Sequence, residues 1–202
     1  MTFNPKSLEE LLSSTPKPSI ESTKICEHNY SLTKPYIKNF RIAIDVGCKI
    51  GEYTKCLIND FDKIYSFDMR NKMRIKNPNV TFLQNALGDC ETNVSYNNAV
   101  IDNKVNSKHK TTRQKTLDSY EFDHVDHIKI DVEGHELKVL QGAIKTLEKC
   151  KPTILIEQNK MVEKHSKGKM YDALDFLLDN DYQLVDYNGM IDFVVVHKDN
   201  TK

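Results

Sequence analysis

Long apolar runs are missing from this chain of 202 residues; none is long enough to span a bilayer. Nor does a positive stretch followed by an apolar block mark a secretory leader, so the expectation is a soluble, cytoplasmic protein with no membrane span. Net charge is missing too. Lys and Arg total 29, as do Asp and Glu, which leaves no global attraction for nucleic acid or acidic lipid. Arginine is scarce, four residues against 25 lysines, so bidentate phosphate recognition would rest on very few side chains. The five cysteines, Cys26, Cys48, Cys56, Cys90 and Cys150, are odd in number and form no C-x-x-C pair. That argues against both a disulfide framework and a zinc ribbon. What remains is an ordinary globular composition, 39% apolar and 29% charged, long enough for one good core.

Residues 1–39 read as an N-terminal arm or cap. Ser7 and Glu10 have capping-box spacing and open a short helix through Leu12, after which Pro16, Pro18 and Pro35 break regularity. The main domain, 40–202, begins with a strand over Phe40–Val46, a glycine turn and a helix over Glu52–Asn59. Further strands follow at Lys63–Asp68, Asn79–Leu83, His127–Val132 and Thr153–Glu157, with an irregular insertion at 89–115. Leu137, Leu140, Ile144 and Leu147 form the apolar stripe of one helix, with Glu136, Lys138, Gln141, Lys145 and Glu148 on its other side. Met170, Ala173, Leu174, Leu177 and Leu178 mark another. The chain closes with Tyr182–Tyr187 and Asp192–His197 around Asn188-Gly189, a type I′ hairpin signal. Strands alternating with helices predict an α/β fold, a mostly parallel sheet with helices on both faces. A seven-stranded sheet ending in an antiparallel hairpin is the signature of Rossmann-like class I methyltransferases.

In open α/β sheets a ligand binds beyond the carboxyl ends of the strands, where strand order reverses. The turn after the first strand, Asp45-Val46-Gly47-Cys48-Lys49-Ile50-Gly51, lies there. Its glycines permit close approach to main chain, and Asp45 can hold polar groups directly or through water. The G-x-G-x-x-G phosphate loop is absent, and Asp45 and Glu52 suit a cationic amine better than a pyrophosphate. Asp68, 23 residues after Asp45, has the placement of an acid that accepts from ribose hydroxyls. A nucleoside with a cationic tail, S-adenosylmethionine, meets these demands; the bland alternative is a turn kept tight for helix packing.

The segments Ile44–Leu57, Asn85-Ala86-Leu87-Gly88-Asp89, Thr116-Leu117-Asp118, Ile128–Leu137, Val139–Ala143 and Ile154–Glu157, in this order, resemble the FkbM family of S-adenosylmethionine-dependent methyltransferases. The resemblance spans roughly 40–197, and Lys129-Ile-Asp-Val-Glu-Gly-His-Glu136 is its most specific part. It implies methyl transfer to oxygen, commonly a hydroxyl of a sugar or a polyketide. Carried over by position, Asp45, Gly47 and Gly51 fall on the methionine side of the cofactor and Asp68 on the ribose, with Tyr53 and Met69 also among the cofactor-binding residues. Asn85, Ala86 and Leu87 flank the adenine. Asp131 and Glu133 stand near the methyl group and acceptor. The sequence departs from the family where Asp68-Met69-Arg70 replaces the usual acid–proline pair, and where Cys48-Lys49 replaces Ala-Asn.

An acceptor hydroxyl must lose its proton, and Asp131, Glu133 and His135 are the candidate catalytic residues. Each has a structural alternative: Asp131 binding the cofactor amine, Glu133 favouring a helix N-terminus, His135 simply opening a helix. No metal is assigned. His127 lies about 13 Å from Asp131 along a strand, so one site using both is disfavoured, although Asp131 and Glu133 alone could hold a divalent ion. Lys104, Lys108, His109, Lys110, Arg113 and Lys115 form an acid-free basic run, as do Lys160, Lys164, Lys167 and Lys169 apart from Glu163. Either run could meet an anionic substrate or be a solvated face. The expected partner is a small-molecule or glycan substrate, with no nucleic acid. Two other readings are weighed. A ribose 2′-O-methyltransferase of RNA needs a Lys-Asp-Lys-Glu set that this chain does not complete in the usual way. A non-catalytic cofactor-binding or nucleoside-binding module would not need acids at 131 and 133.

Overall fold

The computed structural model describes residues 7–17, 21, 24–97, 100–102, 109–165 and 168–200. In chain order the elements are α1 (Leu8–Ser14), α2 (Ile25–Thr33), β1 (Ile42–Val46), α3 (Glu52–Leu57), β2 (Lys63–Phe67), β3 (Val80–Leu83), β4 (Ala86–Leu87), β5 (Thr92–Asn97), β6 (Val100–Asp102), β7 (Lys110–Lys115), β8 (His127–Ile130), α4 (Glu136–Gln141), α5 (Ile144–Cys150), β9 (Thr153–Glu157), α6 (Met161–His165), α7 (Asp172–Asp179), β10 (Tyr182–Tyr187) and β11 (Asp192–His197).

Seven strands form one sheet in the order β10-β11-β9-β8-β1-β2-β3. β3, β2, β1, β8 and β9 run parallel, while β11 is antiparallel to both β9 and β10. This is the α/β architecture expected, with helices on both faces. The central strands are short runs of β-branched and apolar residues, as a sheet covered on both sides requires. Alternation sorts them. Ile44, Val46, Ile128, Ile130, Ile154 and Ile156 pack with Leu140, Leu147, Leu174 and Leu177 of α4, α5 and α7. Ala43, Leu155 and Val194 face the other way, onto Tyr30 of α2 and Tyr53 and Leu57 of α3. The same period of two puts Asp45, Lys129, Glu157 and Asp192 on the α2/α3 face.

Several local expectations change. The helix expected after β8 is two, α4 and α5, parted at Gly142-Ala143. A Cβ on Gly142 would stand 1.9 Å from the Gly88 carbonyl oxygen, so backbone there passes too close for a side chain. Glu136, read as part of the polar side, is buried. Its carboxylate accepts the N–H groups of Val132 (3.1 Å) and Gly134 (3.0 Å) and so ties the turn after β8. Ile144 and Leu178 are among the exposed apolar residues. The insertion at 89–115, expected to be irregular with some strand-like pieces, is more ordered than that among its described residues: β5, β6 and β7 join β4 in a second sheet of order β4-β7-β5-β6. The hairpin is present, but its loop takes four residues, and of the Asn-Gly pair only Gly189 has positive φ (78°). Asn188 instead closes the loop through Oδ1, which accepts from Met190, Ile191 and Asp192 N–H.

At the N-terminus, Ser7 Oγ accepts the Glu10 N–H at 3.1 Å, as the capping-box spacing predicts, and Leu11 enters the main core. α2 (Ile25–Thr33) is not among the elements expected from the sequence. It packs against α3, β9, β10 and β11, and its Asn29 accepts from Asn188 Nδ2 at 3.0 Å. Among the described residues no helix is long and apolar enough to cross a membrane.

Candidate active site

Strand order reverses at β1, which has β2 on one side and β8 on the other. A cleft of about 210 Å³ opens over their carboxyl ends. Phe67, Ala86, Leu87, Ile101 and Val132 form its apolar walls. Gly47, Lys49, Asp68, Met69, Arg70, Asn85, Asp131, Glu133 and His135 supply the polar groups. Most residues singled out from sequence therefore share one cavity.

Three do not, and each for a steric reason. Asp45 is fully buried beneath the turn, where Oδ2 accepts from Thr54 Oγ1 at 2.6 Å. Tyr53 is buried under the sheet; its hydroxyl donates to Nε2 of His127 at 2.9 Å, the other ring nitrogen donating to the Thr153 carbonyl. Gly51 starts α3 with φ 94°, and a Cβ there would press on Ile75 Cγ1 at 2.5 Å and Met73 Sδ at 2.7 Å. Packing explains the second glycine. Gly47 is different, because it lines the cleft and also has φ 84°, with the Asp131 carbonyl oxygen only 1.8 Å from where a Cβ would be. The first glycine is bare so that the β1 and β8 ends can meet.

At one end of the cleft, Asp68 has both oxygens engaged. Oδ1 accepts from Arg70 N (2.7 Å) and Arg70 Nε (2.9 Å), Oδ2 from Lys49 N (2.9 Å) and an Arg70 terminal nitrogen (2.9 Å). That uses the four lone-pair positions a carboxylate offers. Arg70, noticed in the sequence only as a departure from the family pattern, is the Asp68 partner. Asn85 on the adjoining wall accepts from the Tyr120 hydroxyl at 3.3 Å, and Tyr120 packs edge-on against Phe67 with ring centroids 5.1 Å apart.

At the other end, Lys129 Nζ donates to Asp131 Oδ2 at 3.0 Å and lies 3.8 Å from Asp45 Oδ1, an oxygen with no hydrogen-bond partner among the described residues. Lys129 is 7% exposed and held charged by these two acids, its pKa pushed up although burial alone would lower it. Strand register sets Ile130 beside Ile156 and Glu157 beside Asp192. Asp131, Glu157 and Asp192 thus stand on three neighbouring strands, about 4.8 Å from one to the next. Burial, then the charges of Asp131 and Asp192, pushes Glu157 up to about 9; burial pushes Asp192 up to about 6. Neither Lys129 nor Glu157 was singled out as a functional residue. The signals were present: a lysine inside an otherwise apolar strand, and an acid ending Thr153–Glu157.

Glu133 adopts φ 57° and Gly134 φ 99°, so the chain turns sharply out of β8 through conformations that are costly for a non-glycine residue. Glu136 stabilises that turn from below. His135 lines the cleft, with Nε2 3.2 Å from Gln114 Oε1. Gln114 Nε2 donates to the Cys90 carbonyl, so Oε1 is the acceptor and His135 Nε2 carries the hydrogen. Burial, helped by Lys138, pushes the imidazole down to about 4. It is neutral at ordinary pH, with a weakly basic Nδ1.

The basic run divides. Lys104 and Lys108 lie outside the described residues, as does Lys167. Lys110, Arg113 and Lys115 lie on β7, where Arg113 pairs with Glu91 at 3.2 Å. Among the described residues no group of three or more His, Cys, Asp or Glu side chains is placed to hold a metal ion.

Comparison with known proteins adds identity to this geometry. A comparison with curated proteins gives no match. Among solved structures, methyltransferase FkbM from Methylobacillus flagellatus KT superposes with a TM-score of 0.54 at 18% identity. The match covers 77% of this chain and 43% of that one, so the chain spans less than half the length of that protein. The precorrin 8w decarboxylase of Methanobacterium thermoautotrophicum matches with TM-score 0.51 at 15% identity, over 83% of this chain and 76% of that one. Similarity at this level speaks for the fold. The family described as methyltransferase FkbM domain matches residues 18–184, which takes in β1, the cleft and two members of the acid row, Asp131 and Glu157. The chain belongs to the FkbM methyltransferase family.

Proposed function

We propose that this protein uses S-adenosylmethionine to methylate a hydroxyl oxygen, that of a sugar or glycan. The observation that carries the reading is an apolar-walled cleft that reaches Asp131, the member of a crowded row of acids that lines it. Asp131, Glu157 and Asp192 have Lys129 as their nearest cation, and Glu157 is driven to hold a proton at neutral pH. A ligand with an apolar ring system and a cationic tail would relieve that crowding. The donor set fits the cofactor. Leu87, Ala86 and Phe67 make a slot for a base, Asp68 is an acceptor for ribose hydroxyls, and Asp131 is a counter-charge for the amine or sulfonium. When bound, S-adenosylmethionine supplies a methyl group already activated by positive sulfur.

The chain's own work is to place the acceptor and take its proton. Lys129 fixes one oxygen of Asp131, leaving Oδ1 to receive the hydroxyl proton at the cleft margin. Glu133, held in its strained turn, borders the same space and orients the acceptor. His135, with its proton on Nε2 and its weak basicity, accepts a hydrogen bond at Nδ1 rather than a full proton. A sugar suits a margin built from carboxylates, because adjacent hydroxyls can be held by Asp131 and Glu133 together.

Calorimetric titration with S-adenosylmethionine and S-adenosylhomocysteine tests the cofactor. An acceptor screen with radiolabelled methyl donor, starting from sugars, tests the reaction. Asp131→Asn is expected to stay folded and to lose transfer. Absence of saturable binding to folded wild-type protein would sink the proposal. Cofactor binding by wild type with no transfer to any sugar, and transfer to RNA instead, would move the assignment to a ribose methyltransferase.

A further inference from the structure

A second cavity, of about 410 Å³, adjoins the cleft and shares Arg70 with it. It lies between the loop after β2 and the outer surface of the second sheet. Among the described residues its ionisable lining comprises Arg70, Lys72, Lys110 and the hydroxyl of Tyr96; Asn71, Gln84 and Asn97 add neutral amides, and no described carboxylate lines it. The placement is not a trivial outcome of composition, since the whole chain has equal numbers of acids and bases. Two other lysines around the cleft have acidic partners: Lys49 faces Glu52 and Lys138 faces Asp89. Among the described residues Lys72 and Lys110 have none. Residue 110 is held opposite Tyr96 by the β5–β7 pairing, and Lys72 is positioned by its N–H bond to the Arg70 carbonyl. Lys72 and Lys110, from two separate segments, thus converge on one space beside the Asp68-paired Arg70, with no described carboxylate in its lining. Its volume is in the range of ordinary small-ligand sites.

We infer that this cavity is an anion subsite, and that the methyl acceptor carries an oxyanion, a phosphate or carboxylate, which docks against Lys72 and Lys110 while its hydroxyl faces Asp131 and Glu133. Arg70 is the link between the two spaces. It lines both cavities, and the Glu133 carboxylate is among the charges acting on it. Lys110 gives one member of the basic run a role. The inference rests on the methyl-transfer reading for its second half and on the cavity alone for its first.

The experiment titrates the full chain, preloaded with S-adenosylhomocysteine, with inorganic phosphate, glucose 6-phosphate and glucose at fixed ionic strength, followed by calorimetry. The same series is run on a Lys72→Ala/Lys110→Ala variant. Both lysines are exposed, so the variant should fold, and neither touches the cofactor cleft, so its affinity for S-adenosylhomocysteine should match wild type. Saturable phosphate binding, weakened about tenfold or more in the variant, is expected from the loss of charge-assisted hydrogen bonds. Glucose 6-phosphate should bind more tightly than either phosphate or glucose. Phosphate binding that is absent, or equal in the two proteins, overturns the subsite. Glucose 6-phosphate no tighter than phosphate overturns its assignment to the acceptor and leaves a free-anion site. Failure of S-adenosylhomocysteine to bind, with phosphate still saturating, would strike the methyl-transfer reading and not the cavity.

Discussion

If Asp68 is to accept ribose hydroxyls, the Arg70 side chain must first let go of it. This makes an unusual prediction: Arg70→Ala should bind S-adenosylhomocysteine more tightly than wild type. The structure sets the scale. Two of the four hydrogen bonds on Asp68 come from backbone, Lys49 N and Arg70 N, and survive the substitution. The other two come from the guanidinium, both at 2.9 Å. Those two are what a ribose diol would replace. The Arg70 side chain is 18% exposed and that of Asp68 2%, so the pair lies between a surface and a buried ion pair. Hydrogen bonds to charged groups contribute about 1.5–3 kcal/mol. Screening at the open side of the cleft favours the lower end. Removing that competition is worth about tenfold in Kd. The cleft also gains room: at about 210 Å³ it is smaller than the 300–1,000 Å³ of most ligand pockets.

Calorimetry on wild type, Arg70→Ala, Arg70→Lys and Asp68→Ala at one ionic strength gives the answer. The expected order of affinity is Arg70→Ala, then Arg70→Lys, then wild type, with Asp68→Ala weakest by about tenfold or more. Lysine keeps the charge but cannot form the two-pronged contact, which is why it falls between. Weaker binding by a folded Arg70→Ala protein would mean that Arg70 holds the ligand and does not compete with it. Equal binding by Asp68→Ala and wild type would remove the acid from the ribose site altogether.

Other perturbations follow from the same structure. Gly47→Ala should destabilise by about 3–5 kcal/mol, because its Cβ meets a backbone oxygen, lowering Tm by roughly 10 °C. Gly51→Ala, whose Cβ meets only the side chains of Ile75 and Met73, should cost distinctly less in the same melts. His127 is buried neutral, pushed down to about 4 from an ordinary 6.5, so its contribution is full above pH 6.5 and lost as pH falls toward 4. That amounts to about 3 kcal/mol, and urea titrations should show the acid-side slope shrinking in His127→Gln. Glu157 works in the opposite sense. Its raised pKa makes the folded form favourable below pH 4.5 and progressively less so as pH climbs through about 9, so Glu157→Gln should raise Tm at pH 8 and hardly at pH 4.

What the sequence made legible was whatever depends on local pattern. A strand buried on both faces reads as a short apolar run, so β1, β8 and β9 are visible, and a turn with two glycines at their junction marks the reversal of strand order. The cleft follows, because every residue that ends a parallel strand beside that reversal must face it; Gly47, Asp68 and Asp131 needed no tertiary information beyond this. Side chains one position out escape the same logic. Asp45 looked available because it precedes the turn, yet the pleat sends it to the α2/α3 face with Lys129. Tyr53 sits six residues past the cleft-lining Gly47, but the helix it opens rotates it beneath the sheet toward His127. Arg70 was in view only as the neighbour of Met69, which stands where the family has proline, and the fold shows it clasping Asp68 two residues away. The acid row is the plainest case. Asp131, Glu157 and Asp192 are 26 and 35 residues apart in sequence and become neighbours only through strand register, so no spacing rule could join them. Their burial and mutual repulsion arise only after folding, and Asp131, the member of the row that lines the cleft, is where a cationic ligand would relieve them.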